Sequence, residues 1–265
     1  MANPRFAENV PAFDKFGDEM VTLMEAITGP PGLDLLKQSG LLSDQKEHID
    51  VLENAAGAGI LTELLKKELA KEKKVKIVMG DVEQNMVNLA KARIEQNKWE
   101  NVEAKVIDAH SLPSDDAAFD YVFINFGVQL MPDPKKVVEE AHRVLRPTST
   151  FGYTSWTSPA FISILQAVDP AAPFPPIFDT PYSSLSATPD HLTSFGFSEI
   201  QIKPVTVQVP FESPEDCADK FKKTMPPIFG DKDRSEKIKD YLRKEHGEGK
   251  FVLDWEGLVI TAKKA

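Results

Sequence analysis

Residues 48–69 read HIDVLENAAGAGILTELLKKEL, and the order of residue types in them decides the fold. Ile49 to Leu52 form an apolar run that ends on Glu53. Five small residues follow, Ala55, Ala56, Gly57, Ala58 and Gly59, and then Ile60, Leu61, Leu64, Leu65 and Leu69 recur at helical spacing. The reading is a strand, a tight turn and a helix. Such a turn lets backbone N–H groups and the positive end of a helix dipole face a ligand held close to the main chain. An ordinary strand-to-helix junction would share the pattern, but Glu53 distinguishes the two. A carboxylate at the strand end repels a phosphate and suits a cationic ligand.

The run Val51-Leu52-Glu53-Asn54-Ala55-Ala56-Gly57-Ala58-Gly59 resembles motif I of the class I S-adenosylmethionine methyltransferases, in which an acidic residue precedes alternating glycines. Ala55 stands where the first glycine is expected, and Asn54 where an apolar residue is commoner. The Asn-Ala-Ala-Gly form is closer to small fungal secondary-metabolite methyltransferases of the gliotoxin thiomethyltransferase type, within the UbiE/COQ5-like group. The resemblance covers residues 48–262. It implies an α/β fold, a Rossmann-like seven-stranded methyltransferase sheet with its last strand antiparallel and helical lid elements. One domain would span 1–265, with a helical cover over 1–47, a cofactor-binding core over 48–157, and lid or substrate elements at 158–190 and 211–250. The implied cofactor is S-adenosyl-L-methionine, with Glu53, Asn54, Ala55, Gly57 and Gly59 in its site.

Composition bounds the partners. A chain of 265 residues with 42% hydrophobic content can bury a substantial core. Its formal net charge of −10 disfavours nucleic acid and anionic membranes, since both need clustered Lys and Arg. The single cysteine, Cys217, rules out an internal disulfide. With no signal peptide and no apolar stretch of spanning length, the expected compartment is the cytoplasm. No metal site is expected, and the oligomeric state is open.

The next two strands are expected to end in acids as well. Val75 to Asp81 reads as the second strand, and Asp81 follows Gly59 by 22 residues, the distance at which a carboxylate can accept hydrogen bonds from both ribose hydroxyls of an adenosine cofactor. The resemblance places Val82 to Met86 along the adenine. It also places Asp108 and Ala109, after the third strand (102–107), at the adenine edge; Asp108 could instead cap a helix or turn, but three successive strands ending in an acid favour the ligand role. His110 reads as a peripheral surface histidine. The fourth strand, Phe119 to Phe126, should deliver Asn125 and Phe126 to the point of methyl transfer. Asp133 and Pro134 form a helix start. A nicotinamide dinucleotide would also suit the spacing, but dehydrogenase turns favour G-x-G-x-x-G/A, and Thr62 breaks that pattern.

The acceptor pocket is read from aromatic residues. Phe13 and Phe16 lie on an amphipathic N-terminal helix that Gly29-Pro30-Pro31-Gly32 is expected to close, and that helix either covers the cofactor or simply buries its apolar face. Trp156 ends the fifth strand (150–156). Seven prolines between Ser158 and Pro189 block regular structure after a short helix (161–168), so Phe178 reads as part of an ordered aromatic loop over a pocket. Helices are expected over 211–225 and 231–246, and Met225, Ile228 and Phe229 between them as further pocket candidates. The final strand, 251–262, should run antiparallel between strands five and six. Where the family loop often has Leu-His-His, this chain has Val128-Gln129-Leu130, so no general base is expected and Gln129 could only orient a nucleophile. The implied reaction is methyl transfer to a small, apolar or aromatic thiol, phenol or amine. A protein of the same fold that binds the cofactor without methylating, as a regulator or rearrangement catalyst, is the alternative.

Overall fold

The computed structural model describes residues 18–69, 74–172, 178–224 and 232–265. Alternation along the first strand, β1 (His48–Asn54), sends Ile49 and Val51 to one face and Leu52 to the other. After the turn comes helix α2 (Ile60–Glu68), preceded in the chain by α1 (Asp18–Gln38). Strand β2 (Lys74–Asp81), helix α3 (Gln84–Asn97) and strand β3 (Val102–Val106) follow. Strand β4 (Phe119–Ile124) is buried at every position, as the centre of a sheet covered on both faces requires. It leads to α4 (Pro134–Val144), β5 (Leu145–Ser158), α5 (Ala160–Val168) and α6 (Thr188–Thr193). The chain ends with β6 (Phe197–Phe211), α7 (Pro214–Thr224), α8 (Lys232–His246) and β7 (Phe251–Lys264).

The seven strands lie in the order 3-2-1-4-5-7-6. Strands β1 to β5 are parallel, and β7 is antiparallel to both of its neighbours, as the resemblance implies. Leu35, Leu36, Leu61, Leu65 and Val87 from α1 to α3 pack with Ile77 and Phe123 on one face. Val137, Val138, Ala141 and Val144 of α4 pack with Val122 and Ile124 on the other. The strand order puts the carboxyl ends of β1 and β4 side by side at the reversal of chain direction, where open α/β sheets bind ligands.

Helix α1 does not stop at Gly29-Pro30-Pro31-Gly32; both prolines lie inside it. Burial overrides propensity here. Leu35 and Leu36, beyond the prolines, are fully buried, and the flanking glycines let the helix lie close to its neighbours. A Cβ on Gly32 would fall 3.2 Å from Leu61 Cδ1 and 3.3 Å from Asn125 Nδ2.

A third apolar cluster lies past the end of β5. The β6–β7 ladder continues to Phe211 opposite Phe251, whereas β5 leaves β7 at Ser158 opposite Glu256. That overhang carries Val207, Val209, Leu253 and Trp255 against Phe161 and Leu165 of α5, Phe221 of α7 and Leu242 of α8. Phe178 packs edge-on to Phe161 in this cluster, and Tyr182 packs in the α4 cluster. The described part of the proline-rich stretch therefore turns these rings into core. Among the described residues, no helix is long and apolar enough to cross a membrane.

Candidate active site

The turn after β1 is shaped by backbone conformation. Ala55, Gly57 and Gly59 have φ of 53°, 55° and 85°, so Ala55 adopts the left-handed form that glycine supplies in motif I, at a cost of about 1 kcal/mol. Gly59 is required by packing, because an added Cβ would lie 2.6 Å from Met79 Sδ. Gly57 is favoured by its φ alone. Nothing lies within 4 Å of its absent Cβ, and its N–H donates to Asp81 Oδ2 at 2.8 Å.

Around this turn lies a cavity of about 480 Å³. Its back is Ala55 to Ala58 with Ile60, and its sides are Asp81, Val82, Glu83 and Met86 from the end of β2, Ile107 to His110 after β3, and Asn125 to Gly127 after β4. Leu130, Met131 and Pro132 complete the rim, and Val21, Met24, Glu25 and Thr28 of α1 form the roof. Four carboxylates, Glu25, Asp81, Glu83 and Asp108, lie in a wall that is otherwise mainly apolar, and among the described residues no lysine or arginine lines it. A second cavity of about 270 Å³ between α5, α8 and β7 shares no residue with it.

The acids differ in environment. Burial raises the pKa of Asp81, although Oδ1 accepts from Glu83 N at 2.9 Å and Oδ2 from Gly57 N. Asp108 is exposed, and the His110 backbone N–H holds its pKa down. His110 Nδ1 also sits 2.7 Å from Asp108 Oδ1, and its Nε2 accepts from Asp133 N at 3.3 Å, so both ring nitrogens are engaged. Glu53 does not line the cavity. It is 2% exposed; Oε2 accepts from Thr62 N at 3.0 Å and from Thr62 Oγ1 at 2.5 Å, while Oε1 is buried without a partner. Burial, only partly offset by these hydrogen bonds, pushes its pKa up to about 7.

Of the residues singled out in the sequence, Ala55, Gly57, Asp81, Val82, Met86, Asp108, Ala109, Asn125 and Phe126 meet at this cavity. Glu53, Asn54 and Gly59 stand behind its wall. Asn54 turns its Oδ1 to Ala55 N at 3.1 Å and is fully buried. Gln129 is also turned inward: its Oε1 accepts from Trp156 N at 2.7 Å and from Ser155 Oγ, which makes it a tie between the post-β4 loop and β5 rather than a group facing a nucleophile. Trp156 stacks on Phe126 at 3.9 Å, one layer behind the lining. Phe178 is core, as described above. Phe13, Phe16, Met225, Ile228 and Phe229 lie outside the described residues.

The sequence reading offered this helix as a cover but chose Phe13 and Phe16 and did not single out the four residues of the roof, although their signal was present. Val21, Met24, Glu25 and Thr28 are spaced i, i+3, i+4, i+7, one stripe of a helix. Asn125 joins roof to sheet, donating from Nδ2 to Thr28 O at 3.3 Å and accepting from Thr154 Oγ1 at 2.7 Å. Thr154 in turn accepts from Phe126 N at 2.8 Å, which fixes Phe126 at a φ of 54°.

Residues 51–148, which contain the turn and most of this wall, match the methyltransferase domain family. Over that stretch the chain is similar to a methyltransferase domain. The methyltransferase tpcH of Aspergillus fumigatus is 30% identical over 138 residues, 51% of this chain and 48% of that protein. The chain thus aligns with under half the length of tpcH. The acetylaranotin bis-thiomethyltransferase of Aspergillus terreus is 23% identical over 91% of this chain and 92% of its own length. Among solved structures, the YcgJ protein of Bacillus subtilis shares this fold, with a TM-score of 0.61 and 19% identity over 88% of this chain and 97% of that one.

Proposed function

We propose that this chain transfers a methyl group from S-adenosylmethionine to a small apolar or aromatic acceptor that ionises near neutrality, such as a thiol or an acidic phenol. When bound, the cofactor supplies an electrophilic methyl on a sulfonium. The observation that carries the reading is the cavity itself, which pairs four carboxylates with an apolar wall and, among the described residues, no lysine or arginine. That charge balance favours a ligand with cationic and hydrogen-bond-donating groups and opposes a pyrophosphate.

Asp81 and Asp108, ending β2 and β3, are suited to accept hydrogen bonds from ribose hydroxyls and from an exocyclic amine. The open side of Gly57 admits a ligand against the backbone. Buried Glu53 braces the start of α2 through Thr62, so it shapes the turn from behind. Met24, Phe126, Leu130 and Met131 exclude water from the same space, which favours an apolar acceptor. Rate acceleration then comes mainly from positioning, worth up to about 7–11 kcal/mol in well-oriented model reactions.

The histidine at the cavity, His110, has both ring nitrogens engaged, and Gln129 is buried away from it. The near full-length similarity to a thiomethyltransferase supports the same acceptor class. Incubation with labelled S-adenosylmethionine and a panel of thiols, phenols and amines tests this. Transfer to the thiols, with a pH midpoint that follows each acceptor's own pKa, is expected. Cofactor binding without transfer to any acceptor would defeat the proposal, and a midpoint fixed across acceptors would defeat its baseless form.

A further inference from the structure

The roof of the cavity and its anchor belong to one helix but are held very differently. Beyond the prolines, α1 is fixed to the sheet: Leu35 and Leu36 are fully buried, and Gln38 Nε2 donates to Gln201 O at 3.2 Å and to Thr261 Oγ1 at 3.1 Å. Before the prolines lie Val21, Met24, Glu25 and Thr28, which face the cavity and are only partly buried; of this half, Ile27, next to the break, is buried in the cluster of Phe126 and Trp156, and Leu23 packs against that cluster from a partly buried position. Between the halves, Pro30 and Pro31 have no N–H to give, so two successive rungs of the helical ladder, to the carbonyls of Ala26 and Ile27, are missing. The helix is thus weakest where its loosely held half meets its anchored half.

Besides the Asn125 bond to Thr28 O next to the prolines, an ion pair ties that half to the body of the protein one turn further out. Arg93 of α3 donates from Nη2 to Glu25 Oε1 at 2.7 Å, and its Nη1 lies 3.3 Å from Glu63 Oε2 of α2, at ion-pair distance but without hydrogen-bond geometry. All three side chains are largely buried, at 17 to 24% exposure, where salt screens less than at an open surface. Arg93 itself does not line the cavity.

We propose that Arg93 is a positioning residue that clasps a movable roof: the first half of α1 opens about the Pro30–Pro31 break to admit and release the ligand, and the Glu25–Arg93 pair holds it closed. Glu63 keeps the guanidinium in place from the opposite side. The clasp is a property of the ligand-free chain; only the ligand arm of its test rests on the function proposed above.

Hydrogen exchange on the ligand-free protein separates a clasp from a merely structural ion pair. In Arg93→Met, amides of residues 21–28 should exchange about five-fold faster, the factor expected for a partly buried pair, while those of residues 35–38 keep their rate. Glu63→Gln should leave the roof within two-fold of wild type, and Glu25→Arg with Arg93→Glu should return it toward wild type. In the ligand arm, release of S-adenosylhomocysteine should be about five-fold faster in Arg93→Met, and added salt should speed release from the wild type more than from the variant. Equal acceleration along the whole helix, or none, would overturn the clasp. If Arg93→Met fails to fold, the wild type in rising salt gives the same comparison between residues 21–28 and 35–38. If the wild type does not bind S-adenosylhomocysteine, the proposed function falls, and the exchange measurement still decides the clasp.

Discussion

Replacing Glu53 by Gln should change how stability depends on pH. Burial raises the pKa of Glu53 from 4.5 to about 7 in the fold. Below pH 4.5 the folded and unfolded chains both hold the proton, and the group does not favour either. Between 4.5 and about 7 the unfolded chain releases the proton and the folded chain keeps it, so stability present at low pH is lost as pH rises through the folded pKa. At about 1.4 kcal/mol per pH unit, the loss amounts to about 3 kcal/mol by pH 8. A glutamine side chain at this position would not titrate, and its amide oxygen can still accept from Thr62 N and Oγ1. The stability of Glu53→Gln relative to wild type should therefore rise by about 3 kcal/mol between pH 4.5 and pH 8, whatever its absolute value. Urea unfolding at half-unit pH intervals on both proteins measures that difference, and groups common to both, including Asp81 with its own raised pKa, cancel. Parallel curves would mean that Glu53 is ionised in the folded protein throughout, and the argument from burial would be wrong.

Asp81→Ala removes the acceptor for Gly57 N and Glu83 N and for the proposed ribose hydroxyls; calorimetry should find S-adenosylhomocysteine binding weaker by about 1.5–3 kcal/mol. Gly57→Ala should cost about 1 kcal/mol of stability for its left-handed φ and weaken that binding, because the residue lines the cavity. Gly59→Ala drives a Cβ against buried Met79, so thermal unfolding should show a larger loss, about 1–3 kcal/mol for the packing clash on top of the φ cost. Gln129→Ala leaves buried Trp156 N unpaired and should lower stability by about 1–3 kcal/mol in denaturant unfolding, with acceptor affinity unchanged.

The strand-turn-helix and the acid at the end of β2 were legible because period, turn chemistry and spacing are local properties of the chain, whereas the acid after β3 and the antiparallel final strand were implied by the family resemblance. Two kinds of feature were not legible. The passage of α1 through Pro30 and Pro31 depends on the burial of Leu35 and Leu36 against strands that include residues far away in sequence, such as Tyr121 and Val259, and no window around the prolines contains that. Side-chain direction at strand ends was the other. Glu53 and Gln129 are polar residues at the carboxyl edge of the sheet, yet each turns away from the cavity toward a backbone N–H, of Thr62 and of Trp156, that would otherwise be buried and unpaired. Phe178 was assigned to a pocket on aromatic character alone, and the same character suits it to the cluster around Phe161.

The position of β7 between β5 and β6 also governs how the molecule can assemble. The sheet as far as β5 can pair from neighbouring βα units, but β6 has no partner until β7 arrives, and Phe211 meets Phe251 only across the intervening α7 and α8. Until then β5 and β6 each present an open hydrogen-bonding edge, a template for pairing with another chain. Closing so long a hairpin costs chain entropy before any ladder bond repays it, so insertion of this keystone strand is expected to be the late, slow event of folding. The whole cluster around Trp255 condenses with it. The same strand that completes the sheet thus decides how long the chain is exposed to aggregation.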